Sequence, residues 1–325
     1  MRTNVFITVD TEFSIGGAFA QPEKFKPVGY PAILCEVGGE SQGLGFLLKT
    51  FSQFDINATF FLEGLNCTYF GIEPLKEIAT QISNACQDIQ LHLHPCWLFF
   101  EYANWQQRLT LEQPNDCLDG RSRKELCSII SKGLDFFTQA NIAKPNSVRA
   151  GKLQVDRTIY SAMAELNIPF ASHLGVGVFR PLEPELNIYG GVKVIGGVYE
   201  LPIFTYQDFA CGSYKHLKTM TIVGCGDQEL IFLLNQAHQL GVENIVILTH
   251  PSEFVHVEDV QYKKIRKNKE TQNRLVNLCR YLAENKQRFC SMSFSQLNGL
   301  SEQEVPLLKG KLAHTGWRLV AQRFR

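Results

Sequence analysis

Hydrophobic and polar positions follow two different periods along the chain. Short runs rich in β-branched and aromatic residues alternate with longer segments whose apolar residues have helical spacing. The short runs predict strands at 4–9, 57–62, 88–93, 146–150, 168–172, 244–249 and 289–294. The longer segments predict helices near 43–54, 74–86, 122–140, 154–166, 227–240 and 266–287. Strands that alternate with helices indicate an α/β fold with a mainly parallel sheet, either open or closed into a barrel.

Two segments interrupt this alternation. Residues 14–45 contain seven glycines and three prolines, which predict a long loop directly after the first strand. Residues 173–225 predict extra β structure before the next helix. Since the sequence shows no linker between these parts, we expect one domain over residues 1–295 with two insertions. Residues 296–325 form a basic C-terminal tail, predicted to be a helix docked on the domain.

Composition limits the classes of function. Lys+Arg and Asp+Glu both number 32, so the net charge of zero argues against nucleic acid as a partner. No apolar run reaches the roughly 18 residues of a membrane span, and the N-terminus lacks the pattern of a signal peptide. We therefore expect a cytoplasmic protein whose ten cysteines are free thiols. The basic tail is a candidate for peripheral contact with an anionic surface or a partner.

Ionisable residues stand where several predicted strands end. The first strand ends in "ITVDTE", which contains Asp10 and Glu12, and the third ends in "LHLHP". Residues i and i+2 of a strand point to the same face, so each pair projects in one direction. Other strands end at Arg149 and His250. Because the carboxyl ends of parallel strands gather at one edge, these side chains are expected to form one site.

The residue types at this edge suit a metal ion. His92 and His94 with one carboxylate can bind Zn²⁺ and leave a position open for water. The same ligands can hold Fe²⁺ or another divalent ion, so ligand type alone does not name the metal.

Five short motifs carry a resemblance to a known family. They are "ITVDTE", "NATFFLEG", "LHLHP", "VRAGK" and "VILTHP". Taken together they resemble the polysaccharide deacetylases of the NodB-homology type, also called carbohydrate esterase family four, from about residue 3 to residue 295. This resemblance implies a distorted (β/α) barrel of about seven parallel strands.

The resemblance also implies a metal site that departs from the family pattern. Thr11 occupies the place of the family's metal-binding Asp, and Glu12 is the expected substitute because Thr11 should face away. The family spaces its two histidines four apart, whereas His92 and His94 are two apart. Either His92 supplies the missing ligand from a tighter turn, which we favour, or the metal site is weakened. Zn²⁺ is the expected ion, with Co²⁺, Ni²⁺, Mn²⁺ and Fe²⁺ left open.

Catalytic roles follow from the same resemblance. Asp10 would be the base, Arg149 would orient it and favour its ionised form, and His250 would be the general acid. The family's Asp partner for this histidine has no clear match, and Asp208 and Glu200 are the candidates.

The implied activity is metal-dependent removal of an N-acyl group, typically acetyl, from an amino sugar or an activated sugar precursor. Trp97 and His173 are expected to contact the substrate. Three alternatives stay open: an amidase or deformylase acting on a small molecule, a non-haem iron oxygenase, and a catalytically silent carbohydrate-binding relative. An oxygenase would leave Arg149 and His250 without clear roles.

Overall fold

The computed structural model describes residues 2–212 and 214–313. Within this part of the chain the strands are β1 (Thr3–Thr11), β2 (Glu36–Val37), β3 (Glu40–Ser41), β4 (Ala58–Glu63), β5 (Asp88–Leu93), β6 (Ser147–Ala150), β7 (Phe170–Ala171), β8 (Gly191–Ile195), β9 (Val198–Glu200), β10 (Thr205–Cys211), β11 (Tyr214–Thr219), β12 (Asn244–Thr249), β13 (Val255–Val257), β14 (Ile265–Lys267), β15 (Phe289–Ser291), β16 (Gln303–Glu304) and β17 (Leu308–Lys309). The α-helices there are α1 (Tyr30–Leu34), α2 (Leu44–Phe54), α3 (Cys67–Phe70), α4 (Glu73–Asn84), α5 (Trp105–Arg108), α6 (Arg123–Gln139), α7 (Thr158–Glu165), α8 (Asp227–Gln239) and α9 (Lys269–Glu284).

Parallel strands form a curled sheet in the order β12-β1-β4-β5-β6-β7-β9. Ile203, just after β9, makes a parallel bridge to Val246 of β12, so the two ends of this row meet. Among the described residues the ring therefore contains seven parallel strands and is closed by a single bridge. The predicted distorted (β/α) barrel is confirmed.

The alternation of side chains along β1 shows how the barrel is filled. Val5, Ile7 and Val9 belong to the large core cluster between the strands and the helices. Phe6 belongs to a smaller cluster with Phe61, on the opposite face of the strands. This smaller cluster fills the interior of the barrel, so polar side chains further along the same face lie near its carboxyl end.

The six longest helices match the predicted segments closely, and the start of α6 carries a clear local signal. Ser122 caps α6 by accepting the Glu125 backbone N–H, and the Glu125 carboxylate accepts the Ser122 N–H. This reciprocal capping box fixes the start of the helix. Across the described residues no helix is long and apolar enough to cross a membrane.

The insertions and the tail differ from expectation in detail. Residues 14–45 are mainly loop, as predicted, but include α1 and the β2-β3 hairpin. Residues 173–225 contain β8 to β11, which confirms the extra β structure, yet β9 is a strand of the barrel itself. In the tail, β16 pairs with β8 and β17 pairs with β10, so this part is extended rather than helical. Residues 314–325 of the predicted tail helix lie outside the described residues.

Candidate active site

The two predicted carboxylates lie together at the carboxyl end of β1. Asp10 is buried, and the side chain of Glu12 is about one-third exposed to solvent. Thr11, between them, is fully buried and donates its hydroxyl to the Val9 carbonyl oxygen. Thr11 therefore points away from the site, as the alternation of a strand requires.

The histidine pair meets these carboxylates. The Nε2 atom of His94 lies 2.6 Å from Glu12 Oε2, and the Nε2 atom of His92 lies 3.4 Å from the same oxygen. Their rings are 4.9 Å apart and nearly perpendicular. Ligand atoms of Glu12, His92 and His94 all lie within 4.8 Å of one another, so the two-residue spacing still brings both imidazoles to one point.

Each imidazole is held through its other nitrogen. Nδ1 of His92 is 3.1 Å from the Arg149 carbonyl oxygen, and Nδ1 of His94 is 2.9 Å from Asp116 Oδ2. Lys152 lies 3.4 Å from the same Asp116 oxygen. Histidines that ligate metals are commonly anchored in this way, with the free nitrogen directed at the ion. Neither anchor was identifiable as such in the sequence.

The charges of the cluster also suit a cation. Burial alone would raise the pKa of Glu12, but the charges of His94 and His92 hold it well below its usual value. Burial likewise opposes protonation of His94, but Glu12 and Asp116 raise its pKa well above the usual value. Next to the pair, Glu63 is fully buried, and its Oε2 atom has no hydrogen-bond partner among the described residues; burial raises its pKa to about 7.

The donor set therefore fits a divalent metal. Two imidazole nitrogens and a carboxylate oxygen converge, and the unpartnered Glu63 oxygen marks a neighbourhood that can take positive charge. Because His94 must lose its proton to become a ligand, metal binding is expected to release protons.

Arg149 contacts Asp10 directly. Its side chain is fully buried, and Nη1 donates to Asp10 Oδ1 at 2.7 Å and to the Thr8 hydroxyl at 2.8 Å. Nε and Nη2 donate to the carbonyl and the hydroxyl of Ser172. The guanidinium also lies 4.1 Å from the centre of the Phe61 ring, on top of the apolar barrel interior. One oxygen of Asp10 is thus fixed, while Oδ2 lies on the His92 side, 3.9 Å from its Nε2.

His250 follows β12 and lines the same cleft as Asp10. Its Nδ1 lies 2.9 Å from Glu253 Oε1, and the other oxygen of Glu253 accepts the Thr249 hydroxyl at 2.7 Å. Burial would lower the pKa of His250, but Glu253, with the charges of Asp10 and Glu12, raises it to about 9. The protonated form therefore predominates at neutral pH.

Glu253 replaces the partners that the sequence suggested for His250. Asp208 instead faces His216, 3.2 Å from its Nδ1. Glu200 is buried inside the fold and accepts the backbone N–H groups of His173 and Leu174. Both candidates were wrong because the partner lies only three residues after the histidine, within the following 3-10 turn Pro251–Phe254.

The two predicted substrate contacts lie in different environments. Trp97 lines the cleft, but its side chain is only 1% exposed and packs against Phe70 and Phe100, so it forms part of the wall. His173 is fully buried, and its Nδ1 accepts the Ala150 backbone N–H. Burial, with the charges of Arg149 and His92, lowers the pKa of His173 to about 3. The prediction for His173 is wrong, because a fully buried neutral side chain cannot contact the substrate.

The cleft has a volume of about 210 Å³. It is lined by Asp10, Glu12, Phe13, Ser14, Ile15, Ala32, His94, Cys96, Trp97, Asp116, His250, Pro251, Ser252 and Tyr262. Three loops that follow different strands contribute to it. The sequence did not identify Asp116, Glu253 or Tyr262 as residues of the site. Of the three, only Glu253 had a local signal, because it lies three residues after His250.

Comparisons with known proteins find similarity in fold but not in sequence family. No family model matches the chain, and no curated protein matches it. A solved structure from Mycobacterium smegmatis, described as a polysaccharide deacetylase, is 13% identical with a TM-score of 0.47 over 93% of this chain and 95% of that one. A family 4 carbohydrate esterase from Streptomyces lividans is 12% identical, with a TM-score of 0.39 over 89% and 91% of the two chains.

A pseudoenzyme of the same esterase family, from Bacillus anthracis, is similar as well. It is 12% identical, with a TM-score of 0.44 over 95% of this chain and 69% of that chain. At these identities and TM-scores, function follows only from the residues of the chain itself.

Proposed function

We propose that this protein is a metal-dependent hydrolase that removes an N-acyl group, typically acetyl, from an amino sugar. The observation that carries the proposal is one cleft with three complementary parts: the donor set Glu12, His92 and His94, the Arg149-bound Asp10, and the Glu253-bound His250. Hydrolysis of an amide needs an activated water, a base for its proton and an acid for the leaving amine.

Glu12, His92 and His94 would hold the metal, which when bound lowers the pKa of a water molecule and polarises the amide carbonyl. Zn²⁺ is the proposed ion because two imidazoles and a carboxylate are a common catalytic ligand set for it.

Asp10 is suited to be the base. Arg149 occupies Oδ1 at 2.7 Å, so Oδ2 is the oxygen that takes the proton of the attacking water. Because the guanidinium is fully buried and bonded to Ser172 and Thr8, it keeps the carboxylate in one orientation while the proton moves.

His250 is suited to be the acid. Glu253 occupies Nδ1, which leaves Nε2–H to donate to the nitrogen of the leaving amine. The raised pKa of about 9 keeps that proton in place at neutral pH. Asp10 and His250 thus face the same cleft with different fixed partners, Arg149 and Glu253, which separates the base from the acid.

The cleft volume supports a small substrate. About 210 Å³ is below the usual range of ligand pockets, roughly 300–1,000 Å³, so we infer that a single sugar unit enters rather than a stretch of polymer. A small-molecule amidase or deformylase with the same machinery is the second candidate, favoured by the same volume.

Metal content and acetate release test the proposal together. Elemental mass spectrometry on the purified protein is expected to find about one Zn²⁺-like ion per chain, lost in His92→Ala and His94→Ala. The matched control is His216→Ala, which changes a histidine on β11 that faces Asp208 instead of the cleft. Acetate release from N-acetylated amino sugars should require the same two histidines. No metal in the wild type after incubation with Zn²⁺, Co²⁺, Mn²⁺ and Fe²⁺ would refute the mechanism.

A further inference from the structure

A short turn between β13 and β14 places an aromatic residue in an uncommon backbone conformation. Tyr262 has φ of +58°, a left-handed conformation that bulky residues rarely adopt. The Asp259 carboxylate accepts backbone N–H groups on both sides of it, from Gln261 and Lys263. The Tyr262 N–H itself donates to the Asp259 carbonyl oxygen at 3.1 Å. Strained residues that their surroundings hold in place are concentrated at functional sites.

This turn is fastened to the loop that follows β1. The Gln261 side-chain amide donates to the carbonyl oxygens of Gly16 and Lys26, at 2.6 and 2.9 Å. Ser14, at the start of that loop, pairs with Val28 through two backbone hydrogen bonds. The two loops therefore form one wall of the cleft.

Three hydroxyl groups meet on this wall. Ser14, Ser252 and Tyr262 all line the cleft and are partly exposed to it. The Tyr262 phenol lies near both serine side chains. None of the three participates in the metal, base or acid functions assigned above.

The chemistry of these hydroxyls limits what they can bind. Hydroxyls are both donors and acceptors, so they pair well with the hydroxyls of a neutral sugar ring.

We propose that Tyr262, with Ser14 and Ser252, binds ring hydroxyls of the amino sugar, and that Tyr262 selects a hydroxylated substrate. This inference rests on the proposed function and names the part of the substrate that the wall contacts. A site that hydrogen-bonds a substrate hydroxyl discriminates strongly against analogues that lack it.

Binding measurements test this without relying on turnover. Isothermal titration calorimetry of the Zn²⁺-incubated protein would use glucosamine, galactosamine, mannosamine and cyclohexylamine, the last being an amine with the same ring size and no hydroxyls. We expect the wild type to bind at least one amino sugar about tenfold more tightly than cyclohexylamine, and Tyr262→Phe to lose most of that preference.

Two further variants separate recognition from folding. Tyr262→Asn suits the left-handed backbone better than tyrosine, so its thermal midpoint should equal or exceed that of the wild type while the sugar preference is lost. Tyr214→Phe removes a phenol hydroxyl from the exposed strand β11, outside the cleft, and should leave the preference unchanged.

Two outcomes would overturn the inference: a wild type that does not distinguish the amino sugars from cyclohexylamine, or a preference that survives in both Tyr262 variants. Acetate release from the N-acetyl forms is measured in parallel. Tyr262-dependent sugar binding without acetate release would refute the proposed hydrolase and keep this contact. Acetate release without dependence on Tyr262 would refute the contact and keep the hydrolase.

Discussion

The partner of the proposed acid gives the sharpest test of the mechanism. In Glu253→Gln the carboxamide can keep the hydrogen bond to the Thr249 hydroxyl but removes the negative charge beside His250. Since Glu253 is the main group that raises the pKa of His250 to about 9, the variant should lower that pKa toward the ordinary 6.5. The protonated form would then be lost as the pH rises through neutrality.

The magnitude follows from the two pKa values. At pH 8, a group with a pKa of about 9 is roughly 90% protonated, and one with a pKa of 6.5 is roughly 3% protonated. If protonated His250 is required, kcat/KM should fall by up to about 30-fold at pH 8 and by less than about twofold at pH 6. Asp10 and Glu12 also raise this pKa and remain in the variant, so 30-fold is the upper limit.

The assay measures kcat/KM for acetate release between pH 5.5 and 9.5. The quantity compared between the wild type and Glu253→Gln is the pH at which kcat/KM falls on the basic side of the profile. Glu258→Gln is the matched control, because Glu258 is an exposed acid that pairs with Arg266 of β14 instead of with His250. The control should reproduce the wild-type profile. A loss in Glu253→Gln that is the same at every pH would refute the assignment of His250 as a protonated acid.

Four other changes have defined outcomes. Gly151→Ala should reduce the bound metal, because a Cβ there would lie 2.4 Å from the His94 ring. Gly226→Ala is the control, because no atom of the described chain would lie within 4 Å of its Cβ, and both variants are measured by elemental mass spectrometry. Asp116→Asn should weaken Zn²⁺ about 10–100-fold in competition titrations, because His94 loses a charged anchor. Arg149→Met should lower the free energy of unfolding in urea by about 3–5 kcal/mol, with part recovered in the double variant with Asp10→Asn, because each single change leaves a buried charge unpaired. Glu253 should also stabilise the fold below about pH 6.5, because it raises the pKa of His250 in the folded state. The wild type should therefore melt at a higher temperature than Glu253→Gln at pH 6, and the difference should disappear as the pH rises through about 9, as melts at pH 10 would show.

Much of the barrel was predictable because each strand carries its own pattern. The apolar run of β12 and the apolar start of β1 are buried between the helices and the barrel interior. A continuous hydrophobic segment of this kind indicates a strand that is covered on both faces. The strand β9 was missed as a barrel strand because it is only three residues long and pairs with β7 at two of them, inside a segment that looks like an ordinary insertion. Closure of the barrel beyond β9 depends on the bridge from Ile203 to Val246, a long-range contact that leaves no local signal.

The site residues also divide into those that the sequence can identify and those that it cannot. Residues proposed to act directly, such as Asp10 and His92, stand at strand ends, where a sequence can identify them. Residues that orient them lie on loops: Asp116 reaches His94 from 22 positions further along the chain. His173 also stands after a strand, yet its side chain turns into the interior, so strand-end position alone does not place a residue in the cleft.

The short spacing of the two histidines is compatible with a complete ligand set because of the strand order. β4 lies between β1 and β5, and in a barrel the inward-facing side chains of alternate strands share a layer. An i, i+2 pair from β1 therefore meets an i, i+2 pair from β5, and Glu12 reaches both His92 and His94 without a longer loop. The two-residue spacing thus keeps the ligand atoms of Glu12, His92 and His94 convergent, so the spacing alone gives no reason to expect a catalytically silent protein.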